Sequence, residues 1–212
     1  MNVLYYPLRY LVLKDECGRP VYRRNLISAL AIAIALTFPF FFSIEAYFGD
    51  NGFLDRFGSF SAVLTGFYIA ALVGVASFAS AMGDLDDVIE VGKVSRIAPS
   101  GDREYLTRRQ YVCSMFGYLA FLSLFISIAA IMLVTISGVN IWLVLDTGLI
   151  TQVASWILDN VAPALGMATI FLVNILLSHM IVTTCHGLYY LIDRLYETKP
   201  RLLKKAGVAA RN

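Results

Sequence analysis

Four long stretches of the chain contain no Asp, Glu, Lys or Arg, and they limit how it can fold. They cover Leu26–Ile44, Ser59–Met82, Tyr111–Ser137 and Pro163–Leu188. A helix needs roughly 20 apolar residues to cross about 30 Å of hydrocarbon. Backbone amides in lipid must be paired within the segment, and these stretches lack the alternation typical of a β-barrel. The pattern predicts an all-α membrane protein with transmembrane helices over residues 26–45, 59–82, 111–137 and 163–188.

The composition excludes the other broad classes. The chain is 58% hydrophobic and 15% charged, whereas soluble domains are about 45–50% apolar and about 25% charged. Disordered chains are poor in apolar residues and rich in charge. The net charge is only +2, so we expect no direct binding to nucleic acid, which depends on many basic contacts.

The basic residues predict the topology. Residues 1–25 contain five Lys and Arg, residues 83–110 five and residues 189–212 six, so 16 of the 17 lie on one side of a four-helix arrangement. Basic loops stay in the cytoplasm. We therefore expect a multi-pass protein of a bacterial inner membrane with both termini inside and small cytoplasmic segments. Residues 46–58 would form an external loop.

Residues 138–162 are apolar but interrupted by polar residues. Trp142 and Trp156 flank the interrupted part, and tryptophan prefers the membrane–water interface. A fifth span would place Asp146 in hydrocarbon, which is costly. The pattern favours an external interfacial or re-entrant segment.

The predicted cytoplasmic segments show local patterns. Residues 1–25 fit either a short β-hairpin around Glu16–Pro20 or an amphipathic segment on the inner leaflet. Helical spacing continues from Gly83 to Val91, which predicts a helical extension followed by a loop. Thr107 is a candidate N-cap for the third span, and Pro39 is expected to kink or end the first.

The second span has small residues at every fourth position. They are Ala62, Gly66, Ala70 and Gly74. Such spacing lets two helix backbones approach closely. The face could pack against another span of the chain, or it could be a subunit interface or a pore wall.

A cluster of acids follows the second span, directly under the predicted inner leaflet. Its members are Asp84, Asp86, Asp87 and Glu90. They could be solvated or paired with a basic cytoplasmic face formed by Arg108, Arg109, Lys204 and Lys205. The alternative hypothesis, which we test, is that the cluster is a docking site for a basic cytosolic protein. The spacing is not that of an EF-hand.

Asn174 and His179 are polar residues deep in the fourth span. Such residues are often functional, although many only join helices by hydrogen bonds. A proton or ion role for His179 is the alternative. Cys17, Cys113 and Cys185 lack the four-ligand spacing of a zinc site, and we expect neither a metal nor a cofactor.

The plan resembles small four-span subunits of prokaryotic membrane-associated defence modules, in particular the membrane component of the Kiwa anti-phage system. The shared features are both ends inside, an extension after span two (Gly83 to Val91) and a basic tail. The resemblance implies an oligomeric membrane sensor working with a soluble DNA-binding partner, and it carries over no residue roles.

These patterns predict a non-catalytic, homo-oligomeric inner-membrane subunit that senses membrane events and recruits or regulates a cytosolic protein. Membrane lipids and a cytosolic protein are the expected partners. An oligomeric pore is one alternative. An intramembrane enzyme using His179 or His186 is another, but no motif for catalysis is present.

Overall fold

A computed structural model describes residues 5–49, 51–77, 88–89, 93–97, 103–138 and 162–194 of the chain. The helices are α1 (Tyr5–Leu8), α2 (Val21–Thr37), α3 (Glu45–Phe48), α4 (Phe53–Ser77), α5 (Arg108–Gly138) and α6 (Ala162–Tyr189). Two 3-10 turns cover Arg9–Val12 and Phe38–Phe41, and a π-helical turn covers Tyr190–Arg194. The strands are β1 (Ser95–Ile97) and β2 (Arg103–Tyr105).

Three of the helical segments are long and apolar enough to cross a membrane. They cover Glu45–Ser77, Arg108–Ser137 and Pro163–Ile192. The predicted helices in these regions are therefore confirmed. The segment Asn25–Phe41 is a shorter apolar helix. Regular α-helix ends there at Thr37 and a 3-10 turn containing Pro39 follows, as expected for a residue that cannot donate a backbone hydrogen bond.

Helices α2, α4, α5 and α6 pack side by side in the order α4, α5, α6, α2, and each is antiparallel to its neighbour. Helix α4 packs mainly on α5, and α2 packs mainly on α6. The side chains that are largest and most completely buried come mostly from α5 and α6: Met115, Leu119, Ile126, Ile170, Leu177 and Met180. This order leaves one side of α4 facing outward.

One end of the bundle has a small β-structure, and we call it the hairpin end. Strands β1 and β2 pair antiparallel, with Arg96 opposite Glu104. The Lys14 backbone bridges to Ser95 on one side and to Pro20 on the other. The turn between Lys14 and Pro20 contains Gly18 at φ 72°, a left-handed conformation that suits glycine.

The N-terminal segment consists of a short helical stretch followed by a turn. Residues Tyr5–Val12 are helical, so they do not form the first strand of a hairpin. A turn does follow, because Asp15 N–H donates to Arg19 O at 2.8 Å and Val21 N–H donates to Leu13 O at 3.0 Å. The turn is thus paired only at its base.

The helical extension predicted through Val91 does not include Val88 and Ile89. Val88 forms an antiparallel bridge with Thr107, and Ile89 N–H donates to Leu106 O at 3.4 Å. Helical spacing of apolar residues was misleading here, because Ile89 is buried against the bundle by tertiary contacts instead. The rest of that segment between 78 and 92 lies outside the described residues.

The predicted helix start at Thr107 is confirmed as a capping box. Gln110 N–H donates to Thr107 Oγ1 at 3.3 Å, and Thr107 N–H donates to Gln110 Oε1 at 3.2 Å. These bonds satisfy backbone donors that a helix terminus leaves unpaired. They fix where α5 begins after β2.

Gly58 permits the close approach of α4 to α5, and its substitution tests that packing. A Cβ at this position would lie 2.6 Å from Ala130 Cβ. We expect Gly58→Ala to lower the free energy of unfolding by about 1–3 kcal/mol, as overpacked sites do. Unfolding in mixed detergent micelles measures this value.

Gly117→Ala is the matched control, because a Cβ there would meet nothing within 4 Å. We expect it to be neutral or slightly stabilising, since alanine favours helix more than glycine does. Equal stability of the two variants would contradict the packing described for α4 and α5.

Candidate functional site

Asn174 lies near the middle of α6 and joins three separate elements. Tyr47 Oη donates to Asn174 Oδ1 at 3.1 Å, and Asn174 Nδ2 donates to Thr37 Oγ1 at 3.0 Å. Thr37 Oγ1 in turn donates to Ala33 O at 2.7 Å. Asn174 is fully buried. The predicted intramembrane polar residue therefore ties α6 to α2 and α3.

His179 lies nearer the hairpin end and pairs with a residue of α5. Its Nδ1 is 3.1 Å from Tyr118 Oη, and the two rings meet edge to face with centroids 5.7 Å apart. Either atom can donate, depending on which imidazole nitrogen carries the proton. The pair can bridge two helices and can exchange a proton.

A tyrosine cluster connects this pair to the N-terminal segment. The Tyr10 ring stacks on the Tyr118 ring at 5.2 Å between centroids and lies 6.3 Å from the Tyr111 ring. The Tyr111 ring meets the Tyr190 ring at 5.1 Å. Tyr10 is only 1% exposed. Sequence reasoning missed Tyr10, and the signal available was the tyrosine-rich stretch from Tyr5 to Tyr10 ahead of the predicted first span.

Hydroxyl groups provide two further links between helices. Ser61 Oγ donates to Ser123 O at 2.8 Å, and the hydroxyls of Thr65 and Ser123 are also 2.8 Å apart. Tyr68 Oη and Thr184 Oγ1 are 2.7 Å apart and link α4 to α6. These groups escaped sequence analysis because serine and threonine are common in apolar helices without such partners.

Ser178 completes a polar stripe on α6. Its Oγ is fully buried and has no hydrogen-bond partner among the described residues. It lies one helical turn beyond Asn174 and next to His179 in the sequence. Polar groups therefore occur on successive turns through the middle of α6.

The small-residue face of α4 points away from the other described helices. Ala62, Gly66 and Ala70 are exposed. A Cβ at Gly66 or Gly74 would meet nothing within 4 Å. Packing of this face inside the chain therefore has no support among the described residues.

Among the described glycines of the long helices, Gly58 and Gly187 are the ones whose Cβ would lie within 3 Å of another helix. A Cβ at Gly187 would lie 2.6 Å from Met115 Cε, a flexible side-chain end. Gly58 lies four residues before Ala62 and therefore continues the spacing of the small-residue face by one step, although sequence analysis began that face at Ala62. Gly187 belongs to no such spacing.

The charged clusters are only partly described. Asp84, Asp86, Asp87 and Glu90 of the acidic cluster lie outside the described residues, as do Lys204 and Lys205. Arg108 and Arg109 begin α5 and are half-buried. They thus lie at the hairpin end of the bundle.

The described residues offer no metal centre. Cys17, Cys113 and Cys185 are free thiols. No group of three His, Cys, Asp or Glu side chains within the described ranges could hold a metal ion. In comparisons with known proteins, no protein-family model, curated protein or solved structure matches this chain.

The link between Tyr47 and Asn174 can be measured with a double-mutant cycle. We expect Tyr47→Phe and Asn174→Leu to show a coupling energy of about 0.6 kcal/mol, and at most about 1.7, because interhelical hydrogen bonds in membranes have such values. Unfolding free energies of the two single variants and the double variant give this number.

Tyr68→Phe with Asn174→Leu is the control cycle, because Tyr68 Oη is paired with Thr184. These two substitutions should be additive. A coupling in the control as large as in the Tyr47 cycle would contradict the bonding described for Asn174.

Proposed function

We propose that this chain is a non-catalytic subunit of a bacterial inner membrane, with four spans and both ends in the cytoplasm, that docks a cytosolic protein. The observation that carries the proposal is the ordered β-structure at the hairpin end. A similar plan in the Kiwa membrane component extends the proposal to an oligomeric sensor of membrane events in anti-phage defence.

The β-structure joins the backbone at Lys14 to the hairpin of β1 and β2, which is distant from it in the sequence. Lys14 N–H donates to Ser95 O at 3.0 Å, and Ser95 N–H donates to Lys14 O at 2.9 Å. Leu106 N–H donates to Val94 O at 3.0 Å. A segment that only connects two helices needs no backbone hydrogen bonds to other segments. The ordered hydrogen bonding at this end therefore supports a surface that binds a protein partner.

The charges support a cytoplasmic location for this end. Arg19, Lys93 and Arg103 are exposed there, and Arg96 pairs with Glu104 through Nη2 and Oε2 at 2.6 Å. Among the described residues at the opposite end of the bundle, Arg56 is the only basic one. Basic residues are retained on the cytoplasmic side.

The length of α2 supports a fourth span. Its apolar part from Asn25 to Thr37 extends about 20 Å at a rise of about 1.5 Å per residue. The following 3-10 turn of four residues adds about 8 Å at about 2.0 Å per residue. The total of about 28 Å is close to the roughly 30 Å of bilayer hydrocarbon, and α2 runs alongside α6, which is long enough to cross.

The exposed face of α4 supports an oligomer. Its small residues lie in the middle of the side that α5 leaves uncovered, where a neighbouring backbone could approach closely. A second copy of the chain is the partner that we propose for this face.

Neutralising the acidic cluster tests the docking proposal. We expect combined Asp84→Asn, Asp86→Asn, Asp87→Asn and Glu90→Gln to reduce recovery of the cytosolic partner at least about tenfold, a loss of about 1.4 kcal/mol. Affinity purification in mild detergent with mass spectrometry measures the recovery.

Glu45→Gln with Asp55→Asn is the control, because both acids lie at the opposite end of the bundle. The control should recover the partner at the unmodified level. Full recovery by the fourfold variant would show that docking does not depend on these acids.

Enlarging the small-residue face tests the oligomer. We expect Ala70→Leu to shift the native mass in detergent toward the monomer, because the added side chain keeps the backbones apart. Ala168→Leu makes the same change at an exposed site on α6 and should leave the mass unchanged. An unaltered mass for Ala70→Leu would exclude this face as the interface.

A further inference from the structure

We propose that the N-terminal helical segment Tyr5–Val12, which we call the strap, is an interfacial element whose outer face binds anionic phospholipid headgroups. The proposal rests on the membrane-spanning bundle of the proposed function. It does not rest on the identity of a protein partner or on the orientation of the bundle.

The strap has two chemically different faces. Tyr10 is buried, and Leu8 and Leu11 pack against the same core. On the outer side, Tyr6 is 52% exposed and Val12 is 47% exposed. Arg9 lies between them in the sequence, with its guanidinium carbon 5.5 Å from the centre of the Tyr6 ring. The outer face thus combines an aromatic ring, a cation and an apolar side chain.

The strap lies at the depth where a membrane meets water. The Tyr10 ring contacts the rings of Tyr111 and Tyr118. Tyr111 is the first residue of the uncharged part of α5, and Tyr118 lies about 10 Å further along the axis at about 1.5 Å per residue. Tyrosine and arginine are favoured at this boundary.

The surroundings of the strap favour lipid over a protein occupant. Residues Arg9–Val12 also contact α2, whose Ile27 is 81% exposed and whose Leu30 is also exposed. That apolar surface continues toward the middle of the bundle, where lipid tails would cover it. A soluble partner on the strap would have to share its site with those tails.

The charge of the strap selects anionic headgroups. From residue 5 to residue 14 the charged residues are Arg9 and Lys14, and residues 1–25 contain five basic residues against two acids. Basic residues beside a membrane are attracted to anionic lipids within a Debye length. A zwitterionic surface offers no such attraction.

Lipid bound to the strap would be connected to two other parts of the molecule. Tyr10 on its inner face stacks on Tyr118, the partner of His179. Leu13 and Lys14 continue directly into the pairing with Ser95. A change in the membrane surface at the strap would therefore reach both the Tyr118–His179 pair and the β-structure.

Depth measurements by tryptophan fluorescence test the strap. The full chain with Trp142→Phe and Trp156→Phe receives either Tyr6→Trp or, as a matched control, Tyr105→Trp. Tyr105 is 51% exposed and lies on β2. Each variant is reconstituted in phosphatidylcholine vesicles, with and without phosphatidylglycerol, whose lipids are brominated near the top of the acyl chain.

We expect the tryptophan at position 6 to be quenched by the brominated lipid, since interfacial elements lie about 5–10 Å into this boundary. The tryptophan at position 105 should be quenched by aqueous iodide instead. Val12→Trp gives a second reading on the same face. Iodide quenching at positions 6 and 12 equal to that at position 105 would overturn the proposal and would point to a protein-facing surface.

Charge reversal tests the preference for anionic lipid. We expect phosphatidylglycerol to increase lipid quenching at position 6, and Arg9→Glu to abolish the increase. Arg103→Glu on the exposed strand β2 should leave it intact. Quenching that is independent of phosphatidylglycerol would overturn headgroup recognition. The quenching measurements do not depend on the recovery of a protein partner. A negative result for the strap is therefore distinguishable from a negative result for the docking proposal.

Discussion

Hydrogen bonds and close backbone contacts between helices hold this bundle together. Lipid tails are as apolar as leucine, so helices in a bilayer gain little by covering one another's apolar surface. The described helices meet instead where hydroxyl, amide and imidazole groups pair, and where glycine removes a side chain. The pairing of Thr65 with Ser123 and the contact at Gly58 join α4 to α5, and Asn174 joins α6 to α2.

The same constraint explains why the central helices look uniform in sequence. Helices α5 and α6 are covered on several sides and expose apolar side chains on others, so apolar residues occur all around them. Their polar residues are the ones that distinguish one face from another. Asn174 and His179 could be selected from the sequence because amide and imidazole groups are rare in such helices, whereas Ser123 and Thr184 could not.

The long apolar helices were predictable because an uncharged apolar stretch of about 20 residues has the length that a bilayer requires. The start of α5 was predictable because Thr107 and Gln110 have a recognisable local spacing. The extended pairing of Val88 and the burial of Tyr10 were not, since both depend on partners far away in the chain. For the same reason Gly58 and Gly187, whose close contacts are with α5, were not selected from the sequence.

The two-sided pairing of Lys14 has a consequence for the order in which the protein can be completed. Its partner Pro20 is synthesised almost at once, but Ser95 emerges only after α2 and α4 have been made. The aromatic contacts of Tyr10 require Tyr111 and Tyr118, which are translated later still. The segment around Tyr10 and Lys14 is therefore made before its partners, and it can reach its final place only after α2, α4 and the beginning of α5 have been synthesised.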